Sequence, residues 1–214
     1  MKTLLQCDFD GTITTEDVSF LILDAYGDKG WRRMFQDYKD GRISVGRFNT
    51  LAFATVRADR EALLDLVRKK ARLRPGLRNL VDFCRGNNMR FAIVSNGLDF
   101  YINAILQDIG IEDTRVFSAT TRFVDGSVEA RYIGPEGTII EDSFKDTYLR
   151  LFQQEGYRVL YAGNGISDAG PAMQSYRCFA TGDLLAYFNK NGVNCMPFNN
   201  LNDIVDGLRS LNLG

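Results

Sequence analysis

Apolar and polar positions follow two different patterns along the chain. Residues 3–9 form a short apolar run, which predicts a buried strand. Over residues 15–74, apolar positions recur at helical spacing, and no strand-like run appears. From Pro75 onward, strand-like and helix-like segments alternate, as in parallel α/β sheets. The sequence therefore predicts a doubly wound parallel-sheet α/β core of residues 1–14 and 75–214, with residues 15–74 as a small helical domain inserted after the first strand.

Local signals add detail to the second half of the chain. Two strand-like runs flank Asp125-Gly126, which predicts a β-hairpin over residues 116–134. Ser143, followed three residues later by Asp146, predicts a helix that begins with a capping box.

Polar residues follow three of the predicted strands, as "DFDGT" at 8–12, "SNG" at 95–97 and "GNGISD" at 163–168. Ligands of parallel α/β sheets bind beyond the carboxyl ends of the strands, so we expect these segments to share one edge. Lys145, at the start of a later helix, is placed to reach the same edge. Each segment also has an ordinary structural explanation, because Asn-Gly is common in turns and an acid such as Asp168 suits a helix N-terminus.

Composition narrows the chemistry. The chain has no histidine, which excludes hydrolases with a histidine base and histidine-bound metals. Its four cysteines (Cys7, Cys84, Cys178 and Cys195) form no zinc or redox motif, so we expect reduced thiols in a cytoplasmic protein. A net charge of -1 gives no electrostatic footprint for nucleic acid or an anionic membrane. No apolar run approaches the roughly 20 residues of a membrane span.

Taken together, the quoted segments resemble the four motifs of the haloacid dehalogenase superfamily, in the same order. The first motif is Asp8 to Thr12, the second is Ser95, the third is Lys145 and the fourth is Gly163 to Asp168. The resemblance covers nearly the whole chain and implies a Rossmann-like core. The helical insert is similar to the small cap of the phosphoserine phosphatase-like branch, and the 116–134 hairpin is similar to the flap of that branch.

The resemblance implies a Mg²⁺-dependent phosphatase that hydrolyses a small phosphomonoester. Asp8 is implied as the nucleophile that forms an aspartyl-phosphate, since an ionised carboxylate needs no histidine to activate it. Asp10 is implied as the general acid and then the general base. Lys145 is implied to neutralise the charge shared by Asp8 and the phosphate. The implied phosphate-binding residues are Ser95, Asn96 and Gly11.

The implied metal ligands are Asp8, the backbone carbonyl of Asp10, Asn164 and Asp168. The family's fourth motif usually begins Gly-Asp, whereas this chain has Asn164. An amide oxygen can bind Mg²⁺, but one negative charge is lost, so we expect weaker metal affinity. The departure leaves open a catalytically impaired protein that binds phosphate or a metabolite. A phosphotransferase such as a mutase is a third alternative.

Asp17 and Arg47 are the candidate residues for substrate specificity. Asp17 lies nine residues after Asp8, where phosphoserine phosphatases have a glutamate that contacts the substrate's amino group. Arg47 is the nearby candidate for a substrate carboxylate, although both residues also suit the surface of a helical cap. The small cap and flap imply a small substrate. Phosphoserine, a methylthioribose-derived ketone phosphate, phosphocholine and phosphoethanolamine stay open, and so does the oligomeric state.

Overall fold

A seven-stranded sheet, counted over the described residues 2–124 and 126–211 of this computed structural model, forms the centre of the molecule. Its strands are β1 (Lys2–Cys7), β2 (Arg90–Leu98), β3 (Arg115–Val124), β4 (Ser127–Arg131), β5 (Tyr157–Gly163), β6 (Arg177–Ala180) and β7 (Met196–Pro197). The α-helices of the same ranges are α1 (Val18–Tyr26), α2 (Trp31–Lys39), α3 (Val45–Phe53), α4 (Arg60–Lys70), α5 (Leu77–Gly86), α6 (Asp99–Asp108), α7 (Phe144–Gln154), α8 (Ala169–Gln174), α9 (Gly182–Asn191) and α10 (Leu201–Ser210). None of these described helices is long and apolar enough to cross a bilayer.

The strand order is β4-β3-β2-β1-β5-β6-β7, and every neighbouring pair is parallel except β3 and β4. Cys7 at the end of β1 pairs with Ile93 of β2 on one side and with Ala162 of β5 on the other. This register brings the carboxyl ends of three sequence-distant strands side by side. The predicted doubly wound α/β core is confirmed.

Strand β1 is central, and only its first residue is exposed. Leu4 and Leu5 are almost fully buried, as expected for a parallel strand that is covered on both faces. The buried Gln6 side chain is accommodated because its Nε2 donates a 2.9 Å hydrogen bond to the carbonyl oxygen of Lys145. The central strand is therefore tied directly to the first turn of α7.

The segment predicted as a cap contains the helices α1 to α4. An aromatic cluster joins α1, α2 and α3, where the ring of Phe35 lies 4.9 Å from that of Phe20 and 5.4 Å from that of Phe48. An antiparallel bridge between Thr14 and Leu73 closes the base of the insert. The assignment of residues 15–74 as a separate cap domain stays a prediction.

The hairpin and the start of α7 are the two places where local signals predicted detailed geometry. Strands β3 and β4 pair as an antiparallel hairpin, with Val124 opposite Ser127, but Asp125 of the predicted turn lies outside the described residues. Ser143 does precede α7, yet its φ of 56° turns the chain sharply and its side chain makes no capping hydrogen bond. Asp146 instead accepts a hydrogen bond from Gln174, so the predicted capping box is wrong.

Candidate active site

Three charged side chains from distant parts of the sequence meet at the carboxyl edge of the sheet. Asp8 follows β1, Lys145 lies in the first turn of α7, and Asp168 lies in a 3₁₀ turn after β5. Lys145 Nζ is 2.8 Å from Asp8 Oδ1 and 2.7 Å from Asp168 Oδ1. All three side chains are buried. The predicted approach of Lys145 to the strand ends is therefore observed, and the lysine bridges the two carboxylates.

Burial and charge act together on this triad. Burial by itself lowers the pKa of Lys145, but the neighbouring carboxylates of Asp168 and Asp8 raise it above its usual value, so the lysine is a cation. Burial, followed by the charge of Asp168, raises the pKa of Asp8 to about 7, and Lys145 opposes this shift. Additional positive charge beside Asp8 would favour its carboxylate form.

Asp10 occupies a different environment in the same loop. Its Oδ1 accepts a 3.1 Å hydrogen bond from the backbone N–H of Val18, and its Oδ2 accepts one from the hydroxyl of Tyr101. Burial, followed by the charge of Asp17, raises the pKa of Asp10 well above its usual value. Two carboxyl groups whose surroundings differ in this way are suited to different roles, one as a nucleophile and the other as a proton donor.

Gly11 serves the loop rather than the cavity. Its φ is 75°, which favours glycine, and its N–H donates to the carbonyl oxygen of Glu16 and to Thr14 Oγ1. A Cβ at this position would collide with the side chain of Asn164. In this structure the N–H of Gly11 is used within the loop and its missing side chain makes room for Asn164, while its contact with phosphate stays a prediction.

Ser95 and Asn96 end strand β2 and line the same cavity as Asp8. Ser95 Oγ accepts a 3.0 Å hydrogen bond from the N–H of Gly97, which leaves its hydroxyl proton available to a ligand oxygen. The carbonyl oxygen of Asn96 accepts a 2.9 Å hydrogen bond from Asn49 Nδ2. Among the described residues, no donor reaches the buried Oδ1 of Asn96.

Asn164 closes a compact group of oxygen atoms. One terminal atom of its amide lies 3.1 Å from Asp8 Oδ2, 2.9 Å from the Asp10 carbonyl oxygen and 3.0 Å from Thr12 Oγ1. If that atom is nitrogen, the amide donates hydrogen bonds to all three oxygens. If it is oxygen, Thr12 donates a hydrogen bond to it, and it faces two further oxygens.

The second orientation fits a magnesium ion. Ligands bound at about 2.1 Å and at right angles around Mg²⁺ lie about 3.0 Å apart, which matches the spacing of the oxygens around Asn164. Among residues 2–124 and 126–211, no group of three acidic, cysteine or histidine side chains is placed to hold a metal. A cation at this edge would therefore be held by Asp8, the Asp10 carbonyl and the Asn164 amide together.

Asp168 is enclosed by hydrogen-bond donors of the protein. It is fully buried, and its oxygens accept four hydrogen bonds, from Lys145 Nζ, the Tyr161 hydroxyl and the N–H groups of Asn164 and Gly165. It does not line the cavity. Its carboxylate holds Lys145 and the loop that carries Asn164, and the role of Asp168 as a metal ligand stays a prediction.

A cavity of about 340 Å³ opens between this edge and the helices α1 to α3. The lining from those helices is largely apolar and aromatic and includes Phe20, Phe35, Tyr38, Val45 and Phe48. Asp17 also lines the cavity, where it caps α1 by accepting a 3.0 Å hydrogen bond from Phe20 N–H. Arg47 is exposed, lies 3.9 Å from Glu141 and is not part of the lining, and its contact with substrate stays a prediction.

The sequence patterns missed three polar residues at this site. Tyr101 and Tyr161 are fully buried hydrogen-bond partners of Asp10 and Asp168, but their positions look like ordinary core aromatics in the sequence. Asn49 joins α3 to Asn96, and its signal was available, because it is a polar residue on the buried face of an amphipathic helix.

The parallel sheet and the charged group at its carboxyl edge define a Rossmann-like α/β protein with a polar site beyond the ends of its strands. The chain belongs to the haloacid dehalogenase-like hydrolases, whose family model matches residues 5–172. The family predicted from the motifs is therefore confirmed.

Two proteins of similar sequence are phosphatases. The chain is 29% identical over 220 residues to a 2-hydroxy-3-keto-5-methylthiopentenyl-1-phosphate phosphatase of Geobacillus kaustophilus, with 98% of this chain and 97% of that protein covered. A protein of the same name from Exiguobacterium sibiricum is 25% identical, with 98% of both chains covered. The predicted class of enzyme, a phosphomonoester hydrolase, is confirmed.

Solved structures support the fold. A phospho-aspartyl intermediate analogue of phosphoserine phosphatase matches with a TM-score of 0.71 at 16% identity, over 96% of this chain and 98% of that one. A phosphoserine phosphatase from T. onnurineus matches with a TM-score of 0.70 at 18% identity, over 99% of this chain and 96% of that one. These likenesses show a shared fold.

Proposed function

We propose that the chain hydrolyses a small phosphomonoester through an aspartyl-phosphate on Asp8, with Mg²⁺ held by Asp8, the Asp10 carbonyl and Asn164. The observation that carries the proposal is the buried Asp8–Lys145 pair, 2.8 Å apart, at the base of a cavity of about 340 Å³. Bound Mg²⁺ would offset the repulsion between the anionic nucleophile and the anionic phosphate.

The residues of the site take complementary roles in this mechanism. The Asp8 carboxylate attacks phosphorus while the bond from phosphorus to the leaving oxygen breaks, and Asp10 gives its proton to that oxygen. Asp10 then takes a proton from the water that attacks the phosphorus of the aspartyl-phosphate, which restores Asp8 and releases phosphate. Lys145 balances the charge of Asp8 throughout, and the hydroxyl of Ser95 donates to a phosphoryl oxygen.

The cavity supports a substrate with an apolar tail. Its aromatic wall suits a thioether, because sulfur packs favourably against aromatic rings. Lys39 and Lys145 are the positively charged side chains of the described lining, and Lys145 is already held between two carboxylates. A substrate carboxylate such as that of phosphoserine would therefore find little charge compensation. We propose a substrate like the one named for the relatives, a methylthiopentenyl phosphate.

Release of inorganic phosphate tests this proposal. We expect Mg²⁺-dependent turnover of 2-hydroxy-3-keto-5-methylthiopentenyl-1-phosphate, with a kcat/KM about a hundredfold or more above that for phosphoserine. Asp8→Asn should abolish turnover of both. Preference for phosphoserine would overturn the substrate assignment. Binding of the ester without hydrolysis, with turnover restored by Asn164→Asp, would favour the impaired binding protein.

A further inference from the structure

The carboxyl group of Asp10 is held at both of its oxygens by protein donors. Val18 N–H, at the start of α1, donates to Oδ1 at 3.1 Å, and the Tyr101 hydroxyl, from α6, donates to Oδ2. The Tyr101 oxygen also lies 3.0 Å from Ser19 Oγ. Tyr101 has no exposed surface, and Ser19 is 5% exposed. Ser19, Tyr101 and Asp10 thus form a short line of hydrogen bonds that is buried at Ser19 and Tyr101 and half-buried at Asp10.

The backbone beside these hydrogen bonds leaves space for them. A Cβ on Gly97 would collide with both the Tyr101 hydroxyl and Asp10 Oδ2, so the absent side chain creates the space in which they meet. The Tyr101 ring also packs against the rings of Phe9 and Phe100. Those contacts account for a buried aromatic ring at this position, but they do not need the hydroxyl.

We propose that Tyr101 is a positioning residue for the acid Asp10, supported by Ser19. A hydroxyl has a single proton to donate, so the bond from Tyr101 to Asp10 leaves the tyrosine oxygen free to accept from Ser19. These two hydrogen bonds hold Oδ1 and Oδ2 and thereby restrain rotation of the Asp10 carboxyl group about its bond to the side chain. The lone pairs that are not used in these bonds therefore point in a fixed direction, toward the cavity. This inference rests on the proposed phosphatase mechanism, in which Asp10 protonates the leaving oxygen.

The matched variant is Tyr101→Phe, which keeps the ring and removes the hydroxyl. Two esters of similar size test it, because p-nitrophenolate leaves without a proton, whereas the alkoxide of benzyl phosphate needs one. We expect kcat/KM for benzyl phosphate to fall about tenfold or more, while that for p-nitrophenyl phosphate stays within about twofold. Here kcat/KM is the proper measure, since it reports the steps up to departure of the leaving group.

Two controls separate positioning from general damage. Tyr148→Phe removes a hydroxyl that donates to the Ile133 carbonyl, away from Asp10. This variant should leave kcat/KM unchanged for both esters. In an Asp10→Asn background, adding Tyr101→Phe should cause no further loss of kcat/KM for benzyl phosphate, because residue 10 then has no proton to give to the leaving oxygen.

The outcomes are distinct. Equal losses on the two esters would mean that Tyr101 only supports the fold, and unchanged rates on both would mean that its hydroxyl is idle. Either result overturns the inference while leaving the proposed function intact. If the parent chain hydrolyses neither ester but does hydrolyse the methylthiopentenyl phosphate, that alkoxide ester replaces benzyl phosphate, and an unchanged kcat/KM in Tyr101→Phe overturns the inference. Hydrolysis of none of the three, with or without Mg²⁺, would overturn the mechanism and this inference with it.

Discussion

Single side chains at the edge of the sheet decide how much charge the site carries. Asn164 stands where a carboxylate would add one negative charge beside Asp8. Unlike a carboxylate, the amide can take two orientations. It can donate hydrogen bonds to Asp8 Oδ2 and to the Asp10 carbonyl oxygen, or it can turn its own oxygen toward them. An amide here therefore suits both the metal-free and the metal-bound site, and it lowers the electrostatic attraction for the cation.

Replacing this amide by a carboxylate should shift the balance toward the metal-bound state. We expect Asn164→Asp to tighten Mg²⁺ binding about tenfold. Without metal, the same change should lower the melting temperature, because a further carboxylate then faces Asp8 with no donor between them. Calorimetric titration gives the affinity, and thermal unfolding with and without Mg²⁺ gives the stability.

The control for added charge is Gln107→Glu on the exposed surface of α6. It should leave the Mg²⁺ affinity unchanged. An Asn164→Asp variant with the affinity of the parent chain would remove residue 164 from the metal site.

At the scale of whole elements, helix α3 connects the insert to the core. Asn49 donates to the Asn96 carbonyl at 2.9 Å and to the Tyr132 hydroxyl at 2.7 Å. At its N-terminus, Ser44 Oγ donates to the carbonyl oxygen of Glu141 at 2.6 Å. The same helix carries Phe48 of the cavity wall. The position of α3 therefore sets the width of the cavity above the phosphate end.

A substitution at Gly46 in α3 tests whether the position of this helix sets the width of the cavity. A Cβ at Gly46 would collide with the Glu141 carbonyl, so Gly46→Ala should push α3 away from the core. We expect a loss of about 1–3 kcal/mol in the free energy of unfolding and a severalfold higher KM for the small phosphate ester. Urea unfolding and steady-state kinetics measure the two effects.

Gly86→Ala is the matched change in α5, where an added Cβ meets no atom within 4 Å. It should be neutral or stabilising by up to about 1 kcal/mol, with unaltered kinetics. If both alanine variants behave alike, the close contact of α3 with Glu141 does not control the cavity.

Across the whole molecule, one buried cation links three segments that are far apart in sequence. Lys145 Nζ joins Asp8 after β1 to Asp168 after β5, and the backbone carbonyl of Lys145 accepts the hydrogen bond from Gln6 inside β1. The buried edge of the sheet holds two carboxyl groups beside one ammonium group. The same contacts that prepare Asp8 for chemistry therefore also hold the central strands and α7 together.

Removing this cation should cost both stability and activity. Lys145→Met leaves two carboxylates buried without their partner, and we expect a loss of about 3 kcal/mol or more in the free energy of unfolding at neutral pH. Phosphatase turnover should fall below detection. Lys190→Met, at an exposed position in α9, should stay within about 0.5 kcal/mol of the parent chain. A Lys145→Met variant as stable as that control would show that the pairing contributes little to folding.

The sequence by itself determined the class of fold and the edge of the sheet at which the charged motif residues meet. Helical and strand periodicity are local properties, and the parallel arrangement then requires that the ends of β1, β2 and β5 meet. The sequence therefore placed Asp8, Ser95 and Lys145 at one edge, and in the structure all three line the same cavity. Asp17, singled out by its offset of nine residues from Asp8, lines the cavity as the N-cap of α1, and its contact with substrate stays a prediction.

Only the tertiary structure decided what the remaining residues contact. Arg47 faces Glu141 instead of the cavity. The oxygens of Asp168 accept hydrogen bonds from protein donors, and the missing side chain of Gly11 makes room for Asn164. Tyr101 reaches Asp10 from a helix 91 positions away in sequence. Hydrogen bonds and close packing between elements depend on side-chain direction and distance in space, and neither quantity is encoded in the periodicity of a single segment.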